Sequence, residues 1–334
     1  MTTGYLLTCG TSLLGNLRRP DPDKPVGAVL TGALEAVDPE VRAAISPSHE
    51  GQFTYEPTID RVLHDFAGLR GVAMRITAER TVAPDLRALG AELESLVRRM
   101  LGQGPLGSHE LRPEDPIALI VSDTREGLTC GLLIASMTGR AIRVLTHRGT
   151  PEETITDWDV EVRRSHPDMP PEAAPFDVYV IPGLAATSES AISEAAPWLA
   201  GALARTVGGV DVVPGDAWPK VEQSQAEISG GFKATLPLVH ALLEYCAALR
   251  TARRITCVLR HESAPDVWIR AGLRSLTRDE LAQRLEELRE VRLGMTPETP
   301  WLLRGFGWRN SDTSGGGRPE LTPEGYGILA FPEP

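Results

Sequence analysis

Lysine is nearly missing from this chain of 334 residues: it occurs only at Lys24, Lys220 and Lys233, and arginine supplies the remaining cations. The formal net charge of -11 argues against wholesale electrostatic binding of DNA or RNA, which needs a basic face to displace counterions. A local basic pocket stays open. Cysteine is scarce too. Cys9, Cys130, Cys246 and Cys257 are scattered among apolar neighbours without a CxxC pair, so they read as reduced core residues, not disulfides or zinc ligands. The seven histidines form no metal-ligand pattern, and no metal is expected. No apolar run approaches the roughly 18 residues of a membrane helix, and no cationic leader opens the chain. The expectation is a cytoplasmic protein with no membrane partner. The first apolar strand is followed by Gly-Thr-Ser and not by GxGxxG, which speaks against a nicotinamide enzyme; no cofactor is expected.

What is present is ordinary globular material, with 42% hydrophobic and 24% charged residues. Apolar strands are expected at Tyr5 to Cys9, Ile117 to Val121, Ala141 to Thr146, Asp177 to Ile181, Gly209 to Val213, Ala226 to Ser229 and Ile255 to Leu259. Between them, apolar residues recurring at threes and fours predict helices from about Ile59 to Leu69, Ala83 to Leu101, Gly127 to Met137, Ser188 to Val207 and Phe232 to Leu249. This alternation predicts an α/β fold: a Rossmann-like, doubly wound, mostly parallel sheet over residues 1–272. Residues 18–57, rich in Pro, Asp and Gly, read as a loop-rich insertion with one short helix. Residues 273–334 read as a small, mainly helical C-terminal domain. It contains a charged helix, Thr277 to Arg292, with Thr277 and Glu280 spaced as a capping box. Its ending, LTPEGYGIL, has the look of a winged-helix terminus. A near balance of acidic and basic residues there points to packing or dimerisation ahead of DNA binding.

Ligands of open α/β sheets bind beyond the carboxyl ends of the strands. Three loops have that placement: CGTSLLGN at 9–16, SDTREG at 122–127 and EISGGFKATLP at 227–237. Each offers small residues and hydroxyls where a phosphate can approach backbone N–H groups, and the third adds Lys233. Capping alone also selects Gly, Ser and Thr at such turns, so any one loop by itself says little.

The three loops together resemble the motifs of the CARF family (CRISPR-associated Rossmann fold). CGTSLLGN is similar to the first motif, in which a strand ends in a Gly-Thr-Ser turn. IALIVSDTREG resembles the middle strand and its Ser-Asp-Thr turn, and SGGFKATLP resembles the later Thr-Gly-Gly-Phe-Lys motif. Two positions depart from the pattern: Glu227 stands where the family commonly has Asn, and Ser229 where it has Thr.

The resemblance implies a homodimer that binds one ring of cyclic oligoadenylate across its two-fold axis, tetra-adenylate being the leading candidate. It further implies a metal-independent ring nuclease in which Ser12 and Lys233 serve cleavage. The ligand-binding set it implies is Gly10, Thr11, Asn16, Ser122, Thr124, Arg125, Ser229, Gly230, Gly231 and Phe232. Two alternatives stay open: a sensor that binds the ring without cleaving it and signals through its C-terminal domain, and an α/β protein acting on an unrelated nucleotide. The ribonuclease domain that often accompanies this family carries Arg and His a few residues apart on a helix. Arg254 and His261 have a permissible separation, but the stretch between them reads as a strand.

Overall fold

The computed structural model describes residues 2–19, 23, 25–35, 37–43, 55–79, 86–105, 110–147, 158–163, 167–185, 188–209, 218, 221–228, 231, 235–249, 254–261, 264–297, 307–311 and 318–331. The chain opens with β1 (Thr3–Thr8), then runs through α1 (Ser12–Arg18), α2 (Pro25–Leu34), α3 (Pro39–Ala43), α4 (Tyr55–Asp65), α5 (Val72–Ala78) and α6 (Ala91–Met100). There follow β2 (Ile117–Ser122), α7 (Arg125–Met137), β3 (Ile142–His147), β4 (Trp158–Arg163), β5 (Phe176–Ile181) and α8 (Glu189–Arg205). Next come β6 (Gln223–Glu227), α9 (Leu236–Leu249), β7 (Arg254–His261) and β8 (Ala264–Ala271). The last elements are α10 (Arg278–Arg292), the short strands β9 (Trp308–Asn310) and β10 (Pro319–Leu321), and α11 (Pro323–Leu329).

Among the described residues the strands form one eight-stranded sheet, in the order β4-β3-β5-β2-β1-β6-β7-β8, and a separate β9-β10 pair. The inner six strands run parallel; β4 and β8 close the two edges antiparallel. This is an α/β fold with a mostly parallel sheet, compatible with a Rossmann-like architecture. Every residue of β1, β2 and β5 is buried, as expected for central strands covered on both faces. Alternate side chains serve the two faces. Tyr5, Leu7, Leu119 and Val178 enter a core built with α1, α2 and α4 to α7, whereas Leu6, Ile120 and Tyr179 enter one built with α8 to α11.

Several boundaries differ from the sequence expectations, each for a physical reason. The single helix expected over Ala83 to Leu101 is a 3-10 turn, Leu86–Leu89, followed by α6. Gly90 divides them: its φ of 76° is left-handed, and a Cβ there would press on the Leu13 backbone at 2.6 Å. Residues 18–57, expected to hold one short helix, contain α2 and α3 and begin α4. Val26, Leu30 and Leu34 recur at four-residue spacing and are buried on the first core, which stabilises α2 despite its glycines. The antiparallel edges β4 and β8 were not expected. The strand expected at Gly209 to Val213 lies outside the described residues beyond Gly209.

The Thr277–Glu280 capping box is formed on both sides, with the Glu280 N–H donating to Thr277 Oγ1 at 3.2 Å and Thr277 N–H donating to Glu280 Oε2 at 2.8 Å. No helix among the described residues is long and apolar enough to cross a membrane.

Candidate functional site

Neighbouring parallel strands whose connections leave to opposite faces create a crevice at their carboxyl ends. β1 and β6 are such a pair: the chain leaves β1 toward α1 in the first core and leaves β6 toward α9 in the second. Gly10, after β1, and Gly231, after β6, touch across this crevice. A Cβ on Gly10 would lie 2.9 Å from the Gly231 nitrogen, and a Cβ on Gly231, whose φ is 76°, would overlap the Cys9 carbonyl. Only glycine fits at this crossing, so the two loops that the sequence singled out do share one rim.

Glu92, in the first turn of α6, comes up beneath that rim. Its Oε1 accepts the Gly10 N–H at 2.5 Å, and its Oε2 lies 3.5 Å from Ser12 Oγ. Ser12 is exposed, and its hydroxyl also accepts the Ala91 N–H at 3.1 Å. The Glu92 side chain is only 3% exposed. Burial pushes its carboxyl above the ordinary glutamate range, and the nearby Glu227 carboxylate adds to this; the Gly10 N–H and the Arg260 cation oppose it. A buried carboxyl with raised proton affinity is thus bonded to the Gly10 turn at this rim.

The other residues fall into distinct places. Thr11 is exposed on the same turn. Asn16 faces sideways, its Nδ2 donating to the Arg87 carbonyl at 3.1 Å and so bracing the 3-10 turn. The Ser122 and Thr124 hydroxyls pair with each other at 2.8 Å, and Thr124 Oγ1 accepts the Gly127 N–H at 3.0 Å as the N-cap of α7. Arg125 is the exposed first residue of α7. Cys130 of α7 donates its thiol to the Gly10 carbonyl at 3.0 Å, tying this loop to the first one. Ser229, Gly230, Phe232 and Lys233 lie outside the described residues.

Neither a family model nor a curated protein matches this chain.

Glu227, the departure from the motif, is buried and turned toward α6, where it pairs with Arg99 Nη2 at 2.9 Å and accepts the Ser95 hydroxyl. Its charge is therefore met from within the protein. Glu92, Ser95 and Arg99 form one polar stripe on α6, at i, i+3 and i+7, which the sequence reading missed. The signal was there: three polar side chains on the face of an amphipathic helix that carries leucines at 93 and 96. Among the described residues no three His, Cys, Asp or Glu side chains are grouped as metal ligands. Arg254 and His261 are the two ends of β7.

Proposed function

We propose that this chain is a CARF-type receptor that binds cyclic oligoadenylate across a homodimer axis and cleaves it as a metal-independent ring nuclease. The observation that supports the reading is the glycine crossing of Gly10 and Gly231, which puts the Gly-Thr-Ser turn beside Gly231, two residues ahead of Lys233 in the sequence. In the proposed reaction a ribose 2′-oxygen attacks the adjacent phosphorus in line. A P–O bond forms to it, the P–O5′ bond breaks, the 2′ proton is lost and the 5′-oxygen gains one. The products are a 2′,3′-cyclic phosphate and a 5′-hydroxyl.

Such a reaction asks the protein for alignment and for stabilisation of charge on the phosphoryl oxygens. Ser12 orients the ribose, Lys233 supplies localised positive charge, and Gly10 and Gly231 let backbone N–H groups reach the phosphate. The test is incubation with cyclic tetra-adenylate in EDTA. Linear products ending in 2′,3′-cyclic phosphate, lost in Lys233→Ala, are the expected result; a ring intact after many hours rejects cleavage.

A second reading, a sensor that binds the ring without cleaving it, draws support from the β9-β10 pair set between α10 and α11, an arrangement in keeping with a winged-helix-like end. In that reading the ring binds tightly and survives, and DNA or partner affinity changes when it binds.

A further inference from the structure

On the first face of the sheet, past α6, the amino-terminal halves of β6 and β7 and the strand β8 line a cavity of about 220 Å³. Its walls include Gln223 and Gln225 of β6, Arg254 and Thr256 of β7, and Trp268 and Arg270 of β8. Gly10 and Gly231 stand beyond the opposite, carboxyl ends of these parallel strands, so this cavity is separate from the crevice described above.

Its chemistry is specific. Arg254 and Arg270 are exposed, neither forms an ion pair with a described residue, and no acidic side chain among the described residues lines the cavity. In a chain of net charge -11, two guanidiniums over one hollow that meet no carboxylate among the described residues are a local reversal of sign suited to an anion. Trp268 contributes a flat ring. The guanidiniums of Arg99 and Arg260 lie 4.9 and 6.0 Å from its centroid, so the ring that lines the cavity is already held in an electropositive setting. The carboxamides supply an edge: Gln225, 9% exposed, accepts from Arg99 Nη1 at 2.9 Å through its oxygen and keeps its NH2 group. Gln223 donates through Nε2 to Thr3 Oγ1 at 2.8 Å and keeps its carbonyl oxygen. A carboxamide donor and a carboxamide acceptor on the same face of β6 are the kinds of group that a nucleobase edge can meet.

We infer that this cavity is a binding site for a nucleoside monophosphate, with the base against Trp268 and the carboxamides of Gln223 and Gln225, and the phosphate held by Arg254 and Arg270. The volume sits below the roughly 300 Å³ at which small-molecule sites commonly begin, which suits a single nucleotide with its sugar toward solvent and excludes a ring of several. The inference stands apart from the proposed function: it uses neither Ser12 nor Lys233.

Calorimetric titration of the full chain with AMP, GMP, CMP and UMP, beside adenosine and inorganic phosphate, tests it. At least one nucleotide binds more tightly than either fragment, and Arg254→Gln with Arg270→Gln weakens it by about tenfold or more. Ser12→Ala leaves that affinity unchanged. Because both arginines are exposed, the double variant keeps its melting temperature; as a second readout, nucleotide quenching of tryptophan fluorescence shrinks in Trp268→Phe. Binding by no nucleotide, equal binding of inorganic phosphate alone, or full affinity in the double arginine variant overturns the assignment.

Discussion

A carboxyl placed where water cannot solvate its charge must either find a cation or keep its proton. Glu92 is drawn toward the second course: burial and the Glu227 carboxylate raise its proton affinity, and the Gly10 N–H and the Arg260 cation only partly oppose them. Between the ordinary value and the raised one, the folded chain holds a proton at this site that the unfolded chain releases. By linkage, the stabilisation this group gives is full below the ordinary glutamate value of about 4.5, falls as pH rises through the elevated folded value, and is constant above it. Glu92→Gln keeps an acceptor for Gly10 without the charge, so its unfolding free energy declines less than that of the native chain between pH 4.5 and neutrality. Glu92→Ala leaves the half-buried Gly10 N–H without this partner and costs about 1 kcal/mol. Urea unfolding at a series of pH values reads both effects, and a native profile parallel to that of Glu92→Gln refutes the account.

At the scale of elements, the polar stripe of α6 joins the helix to a strand through charge, beside the apolar contact made by Leu93, Leu96 and Val97. Arg99 donates to Gln225 at 2.9 Å and to Glu227 at 2.9 Å, and its guanidinium lies 5.2 Å from the Tyr5 ring centroid; Arg260 of β7 adds a bond to Glu94 of α6 at 2.7 Å. Removing one member of a buried pair strands the other, so Arg99→Met destabilises by about 3–5 kcal/mol, whereas Arg99→Met with Glu227→Leu recovers much of the loss. Chemical denaturation of the two variants checks this, and equal losses would show that packing and not charge holds the pair.

The same contacts explain what could be read in advance. Strands such as Ile117–Ser122 and helices such as α7 announce themselves because hydrophobic periodicity reports burial directly. Long-range pairing between polar residues leaves no such trace: nothing near Glu227 in sequence shows that Arg99 will neutralise it. The close approach at Gly10 and Gly231 was legible as glycines in loops, but the carboxyl waiting beneath them was not. The edge strand β8 was obscure for a related reason. Trp268 stands between Val267 and Ile269, which blurs the alternation, and those two apolar residues are exposed, so hydrophobicity there does not report burial.

For the molecule as a whole, the decisive question is whether the second core survives without the last part of the chain. α10 and α11 bury Leu281, Leu285, Leu288 and Ile328 in the same cluster as Trp198 and Leu199 of α8 and Leu242 of α9. Phe331 stacks on Tyr245 with ring centroids 6.1 Å apart, and Trp308 donates to Glu287 at 2.6 Å in the interior. Each large apolar side chain lost from a core costs about 2–5 kcal/mol, against a total stability of roughly 5–15 kcal/mol for a typical domain. Ending the chain after Gly272 removes all of these at once and leaves the outer faces of α8 and α9 bare. The truncated chain is therefore expected to aggregate, or to lose its cooperative melt when followed by circular dichroism, while the full chain unfolds in one transition. A soluble 1–272 fragment with a sharp melt would mean that the sheet and its remaining helices are sufficient alone, and that the C-terminal helices are an addition to a finished core.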